Sequence, residues 1–264
     1  MNIFFWELKS NRKAFLIWCA CMVLGVWSGM AKYTAYSSDP NAGDVFADMP
    51  ASMKALFGMK SFAVTQMSGY FAMLIGYVAL ALAIHAALLG ACIIAKEERD
   101  KRTEFLMMKP VSRRTVVTAK LAAGLLNVVA LSVVTLISAL LMTASYNKGA
   151  DVTEEVVLFC VTVLFIQLIF FTLGAALSAA MKNPKHAGSL ATGILFAAFV
   201  LAKITDLTDK LAALKVLTPF QYFNAETLAA GGGLNGLILV LSALLSGAFV
   251  CACYFCYLKR DLNH

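Results

Sequence analysis

The residues best suited to chemistry in this sequence are concentrated in one segment, residues 96–113. A mostly charged run, Lys-Glu-Glu-Arg-Asp-Lys-Arg-Thr-Glu at 96–104, precedes an apolar group at 105–108. An apolar group among charges is typical of a docking surface, because its burial stabilises a complex and the surrounding charges form ion pairs. Pro110 ends a helix that precedes it, and Ser112 can cap a helix that follows. The segment up to Met108 can therefore continue the helix before it and present a docking surface, and an ordinary solvated loop that obeys the positive-inside rule is the alternative interpretation.

Other residue types that support catalysis or metal binding lack the setting that such chemistry requires. The seven cysteines lie inside or at the edges of apolar runs, and the Cys253-x-x-Cys256 pair has no nearby charge to stabilise a reactive thiolate. The chain contains no G-x-x-x-x-G-K-[ST] motif, which forms the loop that cradles nucleotide phosphates. We therefore predict no catalytic residues, no metal site and no cofactor bound by this chain.

The composition indicates the environment in which the charged segment is held. Hydrophobic residues make up 61% of the 264 positions and charged residues 14%, whereas soluble domains are about 45–50% apolar and about 25% charged. A bilayer accommodates this surplus, because each crossing helix needs about 20 mostly apolar residues. The sequence therefore predicts an all-α membrane protein, with a single domain over residues 1–264. Its six predicted spans are Ala14–Ala31, Gly69–Ala95, Thr115–Ser145, Val156–Met181, Ser189–Ala202 and Leu234–Leu258.

The basic residues are distributed unevenly between the two sides of the membrane that these spans define. Six spans put both termini on one side, which receives fifteen of the 22 Lys and Arg residues, while the other side receives seven. The positive-inside rule therefore predicts cytoplasmic termini for a multi-pass protein of the cell membrane. The net charge of +7 is therefore explained by the orientation of a membrane protein and does not indicate nucleic-acid binding. We predict the lipid bilayer, and no nucleic acid, as a partner.

Two further segments are predicted to lie at the membrane surface. Residues 1–13 mix aromatic, apolar and basic side chains, which is typical of a helix in the headgroup region. Residues 203–233 begin with apolar residues at helical spacing and are then broken by Pro219 and by three glycines at 231–233. Because the fifth span is predicted to be short, this pattern predicts a re-entrant extracellular hairpin between spans 5 and 6.

The order of residues in the charged segment resembles a motif of the permease subunits of type-2 (type V) ABC exporters. That motif has a charged run, Gly-Thr, Glu, large apolar residues, Pro-Val-Ser-Arg and a later Lys. The corresponding residues here are Glu98-Arg99, Thr103-Glu104, Phe105-Leu106-Met107, Pro110-Val111-Ser112-Arg113 and Lys120. Arg102 stands where the family usually has Gly. The six spans and the stretch Leu217-Thr-Pro-Phe-Gln-Tyr-Phe223 extend the resemblance over nearly the whole chain.

The resemblance implies a single exporter permease domain, in which residues 96–113 form a cytosolic coupling helix between spans 2 and 3. It implies two protein partners, a second permease chain and a separate ABC ATPase subunit that binds ATP and Mg²⁺. The function implied is export out of the cell, with amphipathic or antimicrobial peptides as the best-fitting substrates and drugs or lipids as the alternative. The coupling contacts are assigned to Glu98, Arg99, Thr103, Glu104, Phe105, Leu106, Lys109, Pro110 and Arg113.

Several residues inside the predicted spans are candidates for the substrate path. His85 is ionisable, and an ionisable residue within a span is a functional candidate by default, but a neutral imidazole bonded to a neighbouring helix explains it equally well. The same two interpretations stay open for Asn127, Gln167 and Lys203. The aromatic candidates, on the two helices that flank the path in the resembling family, are Phe71, Phe196 and Phe199.

A rival interpretation of the charged segment is enzymatic. Residues 97–102 fit E-E-x-x-x-R, which resembles the signature of intramembrane CAAX-type proteases, whose chemistry uses glutamate and histidines to activate water. After Arg102 the only histidines in the sequence are His186 and His264. Neither has that family's Phe four residues before it or Asn four residues after it. The protease is therefore the less favoured alternative.

The predicted topology is tested with single cysteines in a cysteine-free background and a membrane-impermeant thiol reagent on sealed cells. Cysteines on the outer side are expected to react, and those on the side of the termini are expected to stay unlabelled, because the reagent does not cross the bilayer. An inner position that reacts in sealed cells would contradict the six-span topology. The outer positions are Lys54, Lys148 and Lys210, and the inner positions are Lys101, Lys185 and Lys259.

Overall fold

A computed structural model describes residues 3–38, 49–50, 53–54, 66–99, 111–147, 151–207, 214–215, 217–222 and 234–259. The α-helices within these ranges are α1 (Ile3–Ala31), α2 (Tyr33–Ser38), α3 (Met67–Arg99), α4 (Arg113–Tyr146), α5 (Thr153–Ala180), α6 (Ala187–Leu207) and α7 (Gly236–Lys259). Two short 3₁₀ turns lie at Pro184–His186 and Pro219–Gln221, and no strand occurs in the described ranges.

Six of these helices, all except α2, are long and apolar enough to cross a membrane. This confirms the predicted all-α membrane fold with six spans. At 1.5 Å per residue, the 33 residues of α3 and the 34 of α4 extend for about 50 Å, whereas the hydrocarbon core of a bilayer is about 30 Å thick. Both helices are therefore longer than the apolar region is thick, and they are the two helices that flank the charged segment.

The first helix differs from the prediction of a separate interfacial helix at residues 1–13. Residues 3–13 are the first turns of α1, which runs from Ile3 to Ala31 without a break at Ala14. The sequence has no proline or glycine between position 3 and Gly25, so nothing in it ends the helix. One face of these turns is also buried, since Glu7 has no exposed surface.

The fifth span is longer than the sequence suggests. The prediction ended it at Ala202, but α6 continues to Leu207, which takes it through the first five residues assigned to the re-entrant segment. The prediction was wrong because it treated Lys203 as the end of the span. The Nζ atom of Lys203 instead lies 5.6 Å from the centre of the Phe199 ring, one turn earlier on α6, so the helix accommodates the charge.

Contacts between helix ends place both termini at the same end of the bundle. Lys96, near the end of α3, donates a hydrogen bond to Ser10 near the start of α1, with an Nζ to Oγ distance of 2.6 Å. The hydroxyls of Thr118, near the start of α4, and Tyr254, near the end of α7, are 2.8 Å apart. We call this end of the bundle the terminal side.

Helices α3 and α5 form the centre of the bundle. In their most apolar stretches 67% and 61% of residues are buried, against 17% in α1 and 11% in α7. The two central helices touch through backbone at two glycines. A Cβ atom at Gly90 would overlap the carbonyl oxygen of Phe171, and one at Gly174 would overlap that of Ala87. The absence of side chains at both positions therefore sets the distance between the two central helices.

The G-x-x-x-G pattern of α1 makes contact with α3 through one of its glycines. Gly29 lies against the side chain of Leu74, and its carbonyl oxygen accepts a 2.6 Å hydrogen bond from the Tyr70 hydroxyl. Gly25 has no atom within 4 Å of the position that a Cβ would occupy. Of the two glycines of the pattern, Gly29 therefore makes the contact with α3 and Gly25 does not.

The 3₁₀ turn at Pro219–Gln221 folds back onto α5 and α6. The ring of Phe220 lies 5.4 Å from the rings of both Phe170 and Phe199, measured between centroids. The Gln221 side-chain amide donates a 2.9 Å hydrogen bond to the carbonyl oxygen of Ala202. Residues 208–213, 216 and 223–233 of the predicted re-entrant hairpin lie outside the described residues, so the hairpin stays a prediction.

The close crossing of α3 and α5 predicts that alanine is tolerated at one glycine of α3 and harmful at another. Gly90→Ala is expected to destabilise the protein by about 1–3 kcal/mol, because the new methyl group pushes the central helices apart. Gly76→Ala is the matched control on the same helix, since nothing lies within 4 Å of its Cβ position. Thermal unfolding in detergent measures both variants, and equal melting temperatures would contradict the backbone contact.

Candidate functional site

The structure describes both flanks of the predicted coupling segment. Helix α3 ends at Arg99, so the backbones of Glu98 and Arg99 belong to its last turn, and Arg113 is the first residue of α4. The segment therefore joins two long helices directly, with no other described element on either side. The predicted coupling residues Thr103, Glu104, Phe105, Leu106, Lys109 and Pro110 lie outside the described residues.

The start of α4 is fixed by a side-chain cap. Ser112 is the N-cap residue, and its Oγ atom accepts a 3.2 Å hydrogen bond from the backbone N–H of Thr115. The two hydroxyls are also 2.8 Å apart. This confirms the prediction that Ser112 caps the helix after the charged segment. A serine cap satisfies one of the unpaired N–H groups at the helix start, which holds α4 to a defined first residue.

A buried charge cluster joins three helices on the terminal side. Glu7 of α1 lies between Lys96 of α3 and Lys120 of α4, with an Oε2 to Lys96 Nζ distance of 3.0 Å and an Oε1 to Lys120 Nζ distance of 3.9 Å. Glu7 and Lys120 have no exposed side-chain surface, and Lys96 is 12% exposed. We call these three residues the basal cluster.

Further contacts surround the basal cluster. Lys120 donates a 2.7 Å hydrogen bond to the carbonyl oxygen of Ile93, one turn before Lys96 on α3. The Nζ atom of Lys96 lies 4.5 Å from the centre of the Trp6 ring and also bonds Ser10, as described above. The ion pairs, the hydrogen bonds and the contact with the Trp6 ring together hold α1 to the two helices that flank the charged segment.

The role of the basal cluster is structural, because its charged groups hold helices together. Each of its charges is compensated by an opposite charge or a backbone carbonyl, and removal of one partner from a buried pair leaves a charge that costs about 3–5 kcal/mol. No group of three His, Cys, Asp or Glu side chains that could hold a metal ion occurs among the described residues. The arrangement therefore joins the ends of α1, α3 and α4 on the terminal side.

The four residues predicted for a substrate path do not form one group. Phe71 is buried against Phe159 of α5, with ring centroids 6.0 Å apart, whereas Phe199 contacts Phe220. Phe196 is 45% exposed on the outside of α6. His85 is buried beside Trp18 of α1, with ring centroids 5.1 Å apart. Their role in a substrate path stays a prediction.

Two polar residues within the spans make the kind of contact expected of structural residues. The Gln167 side-chain amide of α5 donates a 2.8 Å hydrogen bond to Ser132 of α4. This is the contact expected if Gln167 is a structural residue that bonds to a neighbouring helix. The Asn127 amide bonds back to Ala123 of its own helix at 3.0 Å. Both hydrogen bonds give the side-chain amides partners that lipid cannot provide.

Sequence reasoning missed Glu7 as a member of a site and recognised Lys96 only as the first residue of the charged segment. It placed Glu7 within a surface helix, although Glu7 is the one acidic residue among the first 38 positions. The isolation of Glu7 was the feature of the sequence that indicated an ion pair, because a lone acid among basic and apolar residues needs a partner when its helix is packed. Lys120 was recognised only as part of the motif order.

The architecture and the site define a class of protein, a multi-pass helical membrane component in which the two helices that flank a charged segment are joined to the first helix by a buried charge cluster. Comparison with known families agrees with that class. The sequence model described as ABC-2 family transporter protein matches residues 1–262, and the chain belongs to this family. It is therefore a transmembrane component of an ABC transporter. No curated protein matches the chain.

The basal cluster predicts a large loss of stability when its acid is removed. Glu7→Ala is expected to lower the free energy of unfolding by about 3–5 kcal/mol, because the fully buried Lys120 loses its counter-charge. Glu154→Ala, which removes an exposed carboxylate from the first turn of α5, is the control and should change stability by about 1 kcal/mol or less. Thermal unfolding of purified protein in detergent measures both.

A second variant separates loss of the ion pair from general damage to α1. The double substitution Glu7→Leu, Lys120→Met removes both fully buried charges, while Lys96 can extend to solvent from its partly exposed position. It is expected to recover most of the stability lost in Glu7→Ala. A double variant that is less stable than Glu7→Ala would contradict the electrostatic explanation.

Proposed function

We propose that this protein is the permease subunit of an ATP-driven exporter in the cell membrane, with both termini in the cytoplasm. The observation that carries the proposal is the basal cluster, which holds α1 to the two helices that enclose the charged segment. Family membership supports the transporter class. The excess of basic residues on the terminal side supports the orientation.

In this proposal a separate ABC ATPase subunit binds ATP and Mg²⁺ and docks on residues 96–113. The lack of a G-x-x-x-x-G-K-[ST] motif in the sequence supports hydrolysis on another chain. Phe105 and Leu106 supply the apolar contact, and the charges around them form ion pairs with the partner. The protease alternative is not proposed, because the family match favours a transporter.

The geometry of the described flanks suggests how ATP hydrolysis produces movement. A displacement of the docked segment reaches α3 through Arg99 and α4 through Arg113, since the helices end and begin there. The basal cluster passes the same displacement to α1 through Glu7. Three of the six spans then move as one body, which is the stiff connection that a mechanical transporter requires.

A second permease chain completes the exporter in this proposal, and the substrate crosses between the two chains. The exposed apolar faces of α6 and α7 support a surface that contacts lipid or another chain, with Phe196 45% and Leu237 75% exposed. The proposed substrate is an amphipathic or antimicrobial peptide. The short α4–α5 connection, residues 147–152, supports small or linear cargo, and a drug or lipid is the alternative.

Truncation of the apolar group tests the proposed docking. Phe105→Ala combined with Leu106→Ala removes contacts worth about 1.5–3 kcal/mol per fully buried side chain, so binding of the ATPase is expected to weaken about tenfold or more. Leu214→Ala combined with Leu217→Ala, in the connection between α6 and α7, is the matched control and should bind normally. Copurification and ATP hydrolysis of the reconstituted complex measure both variants.

Charge substitutions and the isolated chain complete this test. Glu104→Lys and Arg113→Glu are expected to affect assembly less than the apolar double variant, because charges at the rim of an interface mainly affect encounter and register. Export should fall in all of these variants while the chain still inserts into the membrane. Normal assembly and transport by the apolar double variant, or ATP hydrolysis by the purified single chain, would contradict the proposal.

A further inference from the structure

A cavity of about 160 Å³ lies between α1, α3 and α4. Its walls are mainly apolar and include Phe15 and Trp18 of α1 and Leu89 of α3. The described residues that line it include no Asp, Glu, Lys or Arg. A cavity of about 150 Å³ with apolar walls accommodates a molecule the size of benzene. The space is therefore large enough for one aromatic ring or a short piece of an acyl chain.

Two polar atoms at this cavity have no partner among the described residues. His85 lines the cavity, is 5% exposed, and has no hydrogen bond at Nδ1. Asn11 lines the cavity from α1, and its buried Nδ2 atom also lacks a hydrogen bond. Trp18 lies against the imidazole and limits its rotation. Unpaired polar atoms at membrane depth cost free energy, which a ligand that bonds them recovers.

The chemistry of these atoms defines the group that they would bind. An amide N–H needs an acceptor, and a neutral imidazole nitrogen either donates or accepts. A hydroxyl group satisfies both atoms at once, and a carbonyl satisfies the amide. A charged ligand is disfavoured, because the part of the cavity wall that the structure describes has no Asp, Glu, Lys or Arg side chain to compensate its charge.

We propose that this cavity binds a neutral, membrane-soluble amphiphile through one hydroxyl or carbonyl group. His85 and Asn11 bond that group, and Phe15 and Leu89 enclose the apolar part. The ligand comes from the surrounding lipid, since Ala14 of α1 and Cys92 of α3 line the cavity and are exposed on the outside of the bundle. This binding is independent of the proposed export function and does not require the ATPase.

Tryptophan fluorescence tests the proposal on the full chain in lipid nanodiscs, with 4-bromophenol as the probe. Trp6→Phe and Trp27→Phe leave Trp18, at the cavity wall, as the reporter, and bromine quenches an indole that it contacts. Saturable quenching by neutral 4-bromophenol is expected, and anionic 4-bromobenzoate should give none. His85→Leu should raise the dissociation constant about three- to tenfold, which is the loss of one hydrogen bond. His186→Leu, outside the cavity, should leave it unchanged.

Two further binding measurements identify the chemical group that the cavity recognises. Bromobenzene lacks the hydroxyl group, so its weaker binding should not respond to His85→Leu, whereas Leu89→Phe should fill the cavity and abolish binding of both probes. Dioleoylglycerol in the nanodisc is expected to compete with 4-bromophenol, because it offers a neutral hydroxyl from the lipid phase. Quenching that rises linearly without saturation, equal quenching by 4-bromobenzoate, or no competition by dioleoylglycerol would overturn the proposal.

Discussion

The interaction on which this structure depends is the burial of one carboxylate, Glu7, between two lysines at the ends of α3 and α4. Without it, α1 would be an apolar helix beside a bundle in which it is only 17% buried over its most apolar stretch. In a membrane, apolar contact alone does not select one neighbour, because lipid is as apolar as a helix surface. The ion pair selects the neighbour, and it does so at the point where the charged segment leaves the bundle.

The centre of the bundle obeys a different constraint, which is that polar groups in lipid must be satisfied within the protein. Hydroxyls of Thr135 and Thr143 bond back to carbonyls one turn earlier at 2.9 and 2.6 Å, and Gln167 reaches Ser132 on the next helix. Gly90 and Gly174 let α3 and α5 touch through backbone. The backbone contact holds the central pair together, while the ion pair attaches α1 on the terminal side and the Tyr70–Gly29 hydrogen bond attaches it near its other end.

Apolar run length and charge distribution were enough to predict the six spans, because both properties are local. They misplaced the end of α6, since Lys203 lies over the Phe199 ring within the helix, and they separated residues 3–13 from a span with which they are continuous. The basal cluster was beyond sequence reasoning, because residues 7, 96 and 120 are far apart in the chain. Its members become neighbours only when three helices are packed. The Ser112 cap was predictable, since it depends on residues three positions apart.

In this view the basal cluster makes the ends of α1 and α4 one rigid body in the working transporter. The most direct measurement is the distance between spin labels at Lys13 of α1 and Arg114 of α4, two exposed positions near the cluster, with and without ATP in the assembled complex. The account predicts one narrow distance distribution that ATP does not shift, and a broad one in Glu7→Gln. A distance that changes with ATP in the parent protein, or an unaltered distribution in Glu7→Gln, would contradict it.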